Sequence, residues 1–340
     1  MRLGSSRLSL QICDIIIKKG GKNFMEALIN PKILKWSRKR AKFSIEELAK
    51  KIGIKNNKEI LLWEKGEKKP TFLQARKLAE ALYIPFGYLY LDEVPKEEIS
   101  IPNLRVNKLC RIRPELYKLI NELELRQDWY REYLIKQGVK PLGIVGKYSI
   151  NTSYEIIAKD IIDKLNLRDR QRKELLDVVI DSCEEIGISI MRDNIPLKDF
   201  QGLFLNDKIA PIIFLNTKET KDIQLFTLIY ELVYIWIGKS NLSFKKSIKK
   251  MDKTEKLCYK VADEVLVLLK DRCKSVVKQT KQDNINNLSF NKYGKNFTKA
   301  LLTSTINMQT TLLETERLLG IHSSKIFDFA KEVGVIKEAF

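Results

Sequence analysis

Apolar positions recur at helical spacing through most of the chain and at strand spacing in one short region. Pro31 suits the first turn of a helix over Ile33–Ala41, which carries Lys32, Lys35, Arg38, Lys39 and Arg40 toward solvent. Ser44 with Glu47 three residues on forms a capping box opening a second helix, Ile45–Ile52, with Leu48, Ala49 and Ile52 as its inner face. Gly53 turns the chain. A third helix runs from near Asn57 to Lys65, with Ile60 and Trp63 inward, and stops at Gly66; a fourth covers Phe72–Leu82. Further on, helices are predicted over Arg113–Gln137, Ser153–Leu165 and Arg168–Ile186, each followed by a glycine or a break. Ile188–Met191, Leu203–Leu205 and Ile209–Asn216 read as strands, and Pro211 favours an edge position for the last. Phe226–Ile237 is a strongly apolar helix ending at Gly238. The fold class predicted is α+β, mostly helical, with an all-α front and a small sheet behind.

These elements divide the 340 residues into four parts. Residues 1–29 read as an N-terminal extension expected to be disordered, with Met25 a candidate start. Residues 30–92 form a helical domain. Residues 93–112 form a linker, broken by Pro95 and Pro102 and solvated by Glu97 and Glu98. Residues 113–340 form a second domain that ends in a helical part. The polar stretches Lys245–Lys256 and Asp271–Asn291 are expected to be loops.

Composition narrows the function. No run of about 18 apolar residues exists, so no membrane span is expected. The apolar piece Leu8–Ile17 is interrupted by Asp14 and lacks a cleavage site, so no signal peptide is expected either. Five scattered cysteines without paired spacing fit a reducing cytoplasm and exclude a cysteine-built zinc module. The single histidine, His322, lacks partners for a metal and suits a surface or capping role. The net charge of +19 fits either a lysine-rich composition or nucleic-acid binding. Its distribution favours the second: Pro31–Pro70 holds thirteen Lys and Arg against five Glu.

Helix, glycine turn and helix on a basic surface is the grammar of a helix-turn-helix module. The stretches Ser44–Ala49, Gly53-Ile54 and Trp63–Thr71 resemble the Xre-type DNA-binding family, although Gly53 to Trp63 is about one residue longer than usual. The resemblance implies double-stranded DNA as partner, read by a homodimer. It places Lys55, Asn56, Asn57, Lys58 and Leu61 toward the major groove. Ser44, Lys65, Lys68 and Lys69 would meet the phosphate backbone.

Inside the apolar helix, Tyr230-Glu231-Leu232-Val233-Tyr234 keeps the frame of the zinc-peptidase motif H-E-x-x-H with both histidines replaced by tyrosine. The order of elements around it resembles the ImmA/IrrE-type metallopeptidase family, in its longer form with an Xre domain in front. Glu185–Ile188, Gly202–Leu205, Ala210–Asn216, Trp236–Gly238 and Glu255–Ala262 carry that likeness. It implies a zincin-like fold, with the zinc histidines falling on Tyr230 and Tyr234, the general base on Glu231 and the third ligand on Glu255. Without zinc, nothing lowers the pKa of the attacking water from about 15.7 to about 7. No metal, cofactor or catalytic residue is therefore expected, and the two carboxylates are expected to serve as hydrogen-bond partners of Tyr230 and Tyr234. The reading is a cytoplasmic regulator of the phage, mobile-element or antitoxin kind, whose former cleft binds a protein, peptide or small ligand. Two alternatives stay open: a zinc endopeptidase that cleaves a repressor or antitoxin, and an antitoxin whose rear domain holds a toxin.

Overall fold

The computed structural model describes residues 26–41, 43–94, 114–167, 174–245, 251–273 and 292–336. The chain divides into two compact units, residues 1–100 with 108–119, and residues 101–107 with 120–340.

The first unit is built from helices α1 (Pro31–Arg40), α2 (Ile45–Ile52), α3 (Lys58–Lys65) and α4 (Phe72–Ala81), followed by a 3-10 turn at Phe86–Tyr90. Its helix ends are set locally. The Asn30 side chain accepts from the Lys32 N–H ahead of Pro31. Ser44 with Glu47 and Thr71 with Gln74 close full capping boxes. Gly53 and Gly66 end α2 and α3 at φ values of 76° and 77°, in the left-handed region that a side chain disfavours. Leu34, Leu48, Ile60, Trp63, Leu78 and Leu82 fill the core between the helices. Residues 26–29, expected to be disordered, instead belong to this unit. Ala27 is buried and its N–H donates to the Pro70 carbonyl at 2.8 Å, while Glu26 bridges Thr71. The rest of that extension and most of the predicted linker lie outside the described residues.

The second unit takes up α5 (Pro114–Lys136) from Ile120 onward, followed by α6 (Tyr154–Lys164) and α7 (Leu175–Glu185). The predicted start of α7 at Arg168 lies outside the described residues. Strands β1 (Ser189–Asp193), β2 (Phe200–Leu205), β3 (Ile212–Asn216) and β4 (Asn241–Phe244) form one sheet in the order β1-β3-β2-β4. The first pairing is parallel and the other two are antiparallel. The expected edge position of the third strand is corrected: β3 is internal. Pro211 sits one residue ahead of it and contributes only its carbonyl, which accepts from the Ser189 N–H at 3.0 Å. A missing N–H therefore costs the ladder nothing.

Helix α8 (Lys221–Ile237) lies against β2, β3 and β4. It begins five residues before the apolar run, at the Thr220 cap, because its first turn is polar. Gly202 makes its close approach possible. A Cβ there would stand 2.6 Å from the Phe214 carbonyl oxygen and 2.9 Å from Thr227 Cγ2. Gly202→Ala is expected to cost about 1–3 kcal/mol through overpacking. A lowered urea midpoint reads that cost, and an unchanged midpoint would contradict the close approach.

Helix α9 (Lys253–Cys273) packs on α6 and α8, and its first turns replace the end of the loop expected over Lys245–Lys256. The polar stretch from Asp271 is helical to Cys273, and residues 274–291 lie outside the described residues. The C-terminal part holds α10 (Lys295–Ile306), α11 (Leu312–Leu319), a 3-10 turn at Ser323–Lys325 and α12 (Ile326–Glu332). His322 caps that turn, its Nδ1 accepting from the Ser324 N–H. Among the described residues no helix is long and apolar enough to cross a membrane.

Candidate nucleic-acid interface and a cleft behind the apolar helix

In the first unit, α3 turns Ile60 and Trp63 into the core, which leaves Lys58, Leu61 and Lys65 on its outer face. Their spacing of three and four residues sets them in one stripe. Lys55 and Asn56 are exposed in the turn before the helix, and Lys69 is exposed beyond it. The structure thus gathers most of the predicted contact residues around one helix.

Five of them already have partners within the unit. The Asn57 amide donates to Glu46 at 3.4 Å, and the Lys68 ammonium stands 3.0 Å from Glu59. Ser44 is the α2 cap, its hydroxyl accepting from the Glu47 N–H. The Glu46 carboxylate is held below its usual range by its own backbone N–H, then by Ser44 and Asn57. Asn56 accepts from the Lys58 N–H at 3.1 Å, which fixes the entry to α3. Lys65 and Glu67 are 3.9 Å apart and well exposed, a pair worth little in water.

One link escapes sequence reasoning. Arg38 of α1 grips Glu64 of α3 with both prongs, Nε to Oε1 at 2.6 Å and Nη2 to Oε2 at 2.9 Å. A third donor, Nη1, reaches the Phe43 carbonyl at 2.9 Å. The side chains are only 13% and 4% exposed. This bidentate pair fixes the pitch of α3 against α1, and so the plane in which the outer stripe is presented.

In the second unit, α8, β4 and the start of α9 enclose a cleft of about 160 Å³. Tyr230, Ser243, Lys245, Glu255 and Tyr259 are among the residues that line it. Tyr230 and Tyr234 sit one turn apart on α8, with ring centroids 5.6 Å apart. Burial pushes both phenols above their ordinary value, so both stay neutral.

Glu231 is fully buried. The expectation that it partners the tyrosines is corrected. Its carboxylate accepts from Asn241 Nδ2 at 3.2 and 3.3 Å and from the Ser243 hydroxyl, both on β4. Burial still pushes it up to about 7, against those two hydrogen bonds. Glu255 caps α9 instead, exchanging hydrogen bonds with Asp252 at 2.8 and 3.0 Å. The four positions that the resemblance singled out therefore lie close together, but the two carboxylates are engaged by other groups of the protein. That donor set does not suit zinc. The phenols are neutral and hard to ionise, and Glu231 is committed to β4. Among the described residues no group of three or more His, Cys, Asp or Glu is placed to hold a metal ion.

Comparison with known proteins bears on the first unit. Residues 34–89 match the helix-turn-helix family model. That match, over the same helices that carry the outer lysine stripe, supports a DNA-binding regulator. No curated protein and no solved structure matches the chain.

Proposed function

We propose that the protein is a transcriptional regulator that docks α3 in the major groove of double-stranded DNA. On this reading, Lys55, Asn56, Lys58 and Leu61 meet base edges, while Lys65, Lys68 and Lys69 neutralise phosphates. Asn57 plays a supporting part, because Glu46 already holds its amide. The observation that carries the reading is the lysine stripe on the exposed face of a helix matched as helix-turn-helix. Modules of this kind read paired half-sites, so the active species is a homodimer. A regulator of this class works in the cytoplasm.

The second unit is read as a metallopeptidase-like domain without catalysis, of the ImmA/IrrE type. Its helix and cleft persist for binding a protein, peptide or small ligand. The orientation of Glu231 toward Asn241 and Ser243 supports this over hydrolysis, since a general base must face the water it activates.

Selection from a pool of random-sequence duplexes tests the reading, with the full chain as bait. Enrichment of one recurring sequence is expected, and Lys58→Ala is expected to relax preference at one position by about 1–3 kcal/mol. A pool that stays random would contradict it.

A further inference from the structure

The outer stripe of α3 is cationic except at its middle. Lys58 lies three residues before Leu61 and Lys65 four residues after it, and all three are exposed. Leu61 is 40% exposed, whereas the neighbouring apolar residues Ile60 and Trp63 are 0% and 1% exposed. An exposed leucine alone says little. Here its setting is informative: an isobutyl group stands between two ammonium groups, on a helix held rigidly by the Arg38–Glu64 pair. An occupant that satisfies the whole stripe must be polyanionic on both sides and present one small apolar feature in the centre.

The major groove of duplex DNA has that combination. Phosphates border it, and the only apolar group on its floor is the C5-methyl of thymine. We infer that Leu61 is a specificity-determining residue that selects thymine by packing on this methyl, with Lys58 reaching a base edge on one side and Lys65 a phosphate on the other. The inference rests on the DNA-binding reading above and adds the base that the apolar position reads.

The test starts from the duplex enriched by the full chain out of a random pool. Each thymine is replaced singly by deoxyuridine, which removes the methyl and leaves every hydrogen-bonding group in place. Dissociation constants are then measured by fluorescence anisotropy for the parent protein and for Leu61→Ala. For the parent, affinity is expected to fall about fourfold at one or two thymines, as for loss of one buried methyl. Leu61→Ala should bind more weakly and should not distinguish thymine from uracil at those positions. Leu61→Met, which keeps an apolar side chain, should retain the distinction. An enriched duplex that tolerates every deoxyuridine, or a methyl effect that survives in Leu61→Ala, would overturn the inference while leaving DNA binding intact. A pool that never enriches would overturn DNA reading and this inference together.

Discussion

Arg38→Ala is expected to destabilise the first unit by about 2–3 kcal/mol, since it leaves a part-buried carboxylate without its charged hydrogen-bond partner. The Glu64 side chain is 4% exposed and accepts two charge-assisted hydrogen bonds from Arg38. Truncation strands its carboxylate inside the protein and also frees the Phe43 carbonyl from Arg38 Nη1. The loss would be a large part of the stability of so small a helical unit. The paired replacement Arg38→Met with Glu64→Leu removes both charges and keeps similar volume, so it should recover most of the loss. Urea unfolding of the parent and the variants measures it. A loss under 1 kcal/mol in the single variant would mean that the pair is solvated and does not fix α3.

The second large effect depends on pH. Glu231 has an ordinary value near 4.5, and burial raises it to about 7 in the folded chain. Below pH 4.5 the carboxyl is protonated in both states and stability is unaffected. Between 4.5 and 7 the unfolded chain releases its proton first, so stability falls as pH rises. Above 7 the loss stays constant, at about 3 kcal/mol for a shift of this size. Glu231→Gln does not ionise and still offers an oxygen to Asn241 and Ser243. Relative to the parent it should therefore gain about 2–3 kcal/mol between pH 5 and pH 8. Thermal unfolding of both proteins at the two pH values checks this. A difference that stays flat with pH would show that Glu231 is ionised at little cost.

The helices of the first unit were legible because their ends are written locally. Ser44 with Glu47, Gly53 and Gly66 each fix a boundary through contacts only a few residues away. The apolar helix α8 was legible for the same reason, in its inner positions and its Gly238 stop. What escaped depends on distant partners. Strand β4 was not predicted, because its buried positions are the polar residues Asn241 and Ser243, which serve Glu231 on α8. The partners of Glu231 could not be read for the same reason: ten and twelve residues separate them along the chain, and a turn of fold must bring them back. Arg38 and Glu64 are 26 residues apart and leave no periodic trace. Pro211 misled because a proline is excluded from an internal strand but not from the residue before it.

The measurement that bears most directly on the central claim is the salt dependence of binding to the enriched duplex by the full chain. If the lysines around α3 neutralise phosphates, the logarithm of the association constant falls linearly with the logarithm of salt concentration, by about 0.9 per phosphate contacted. Replacing Lys65, Lys68 and Lys69 together by alanine should flatten that slope by about 2–3 and weaken binding to every sequence tested. Binding that ignores salt, or an identical slope in parent and triple variant, would contradict the account.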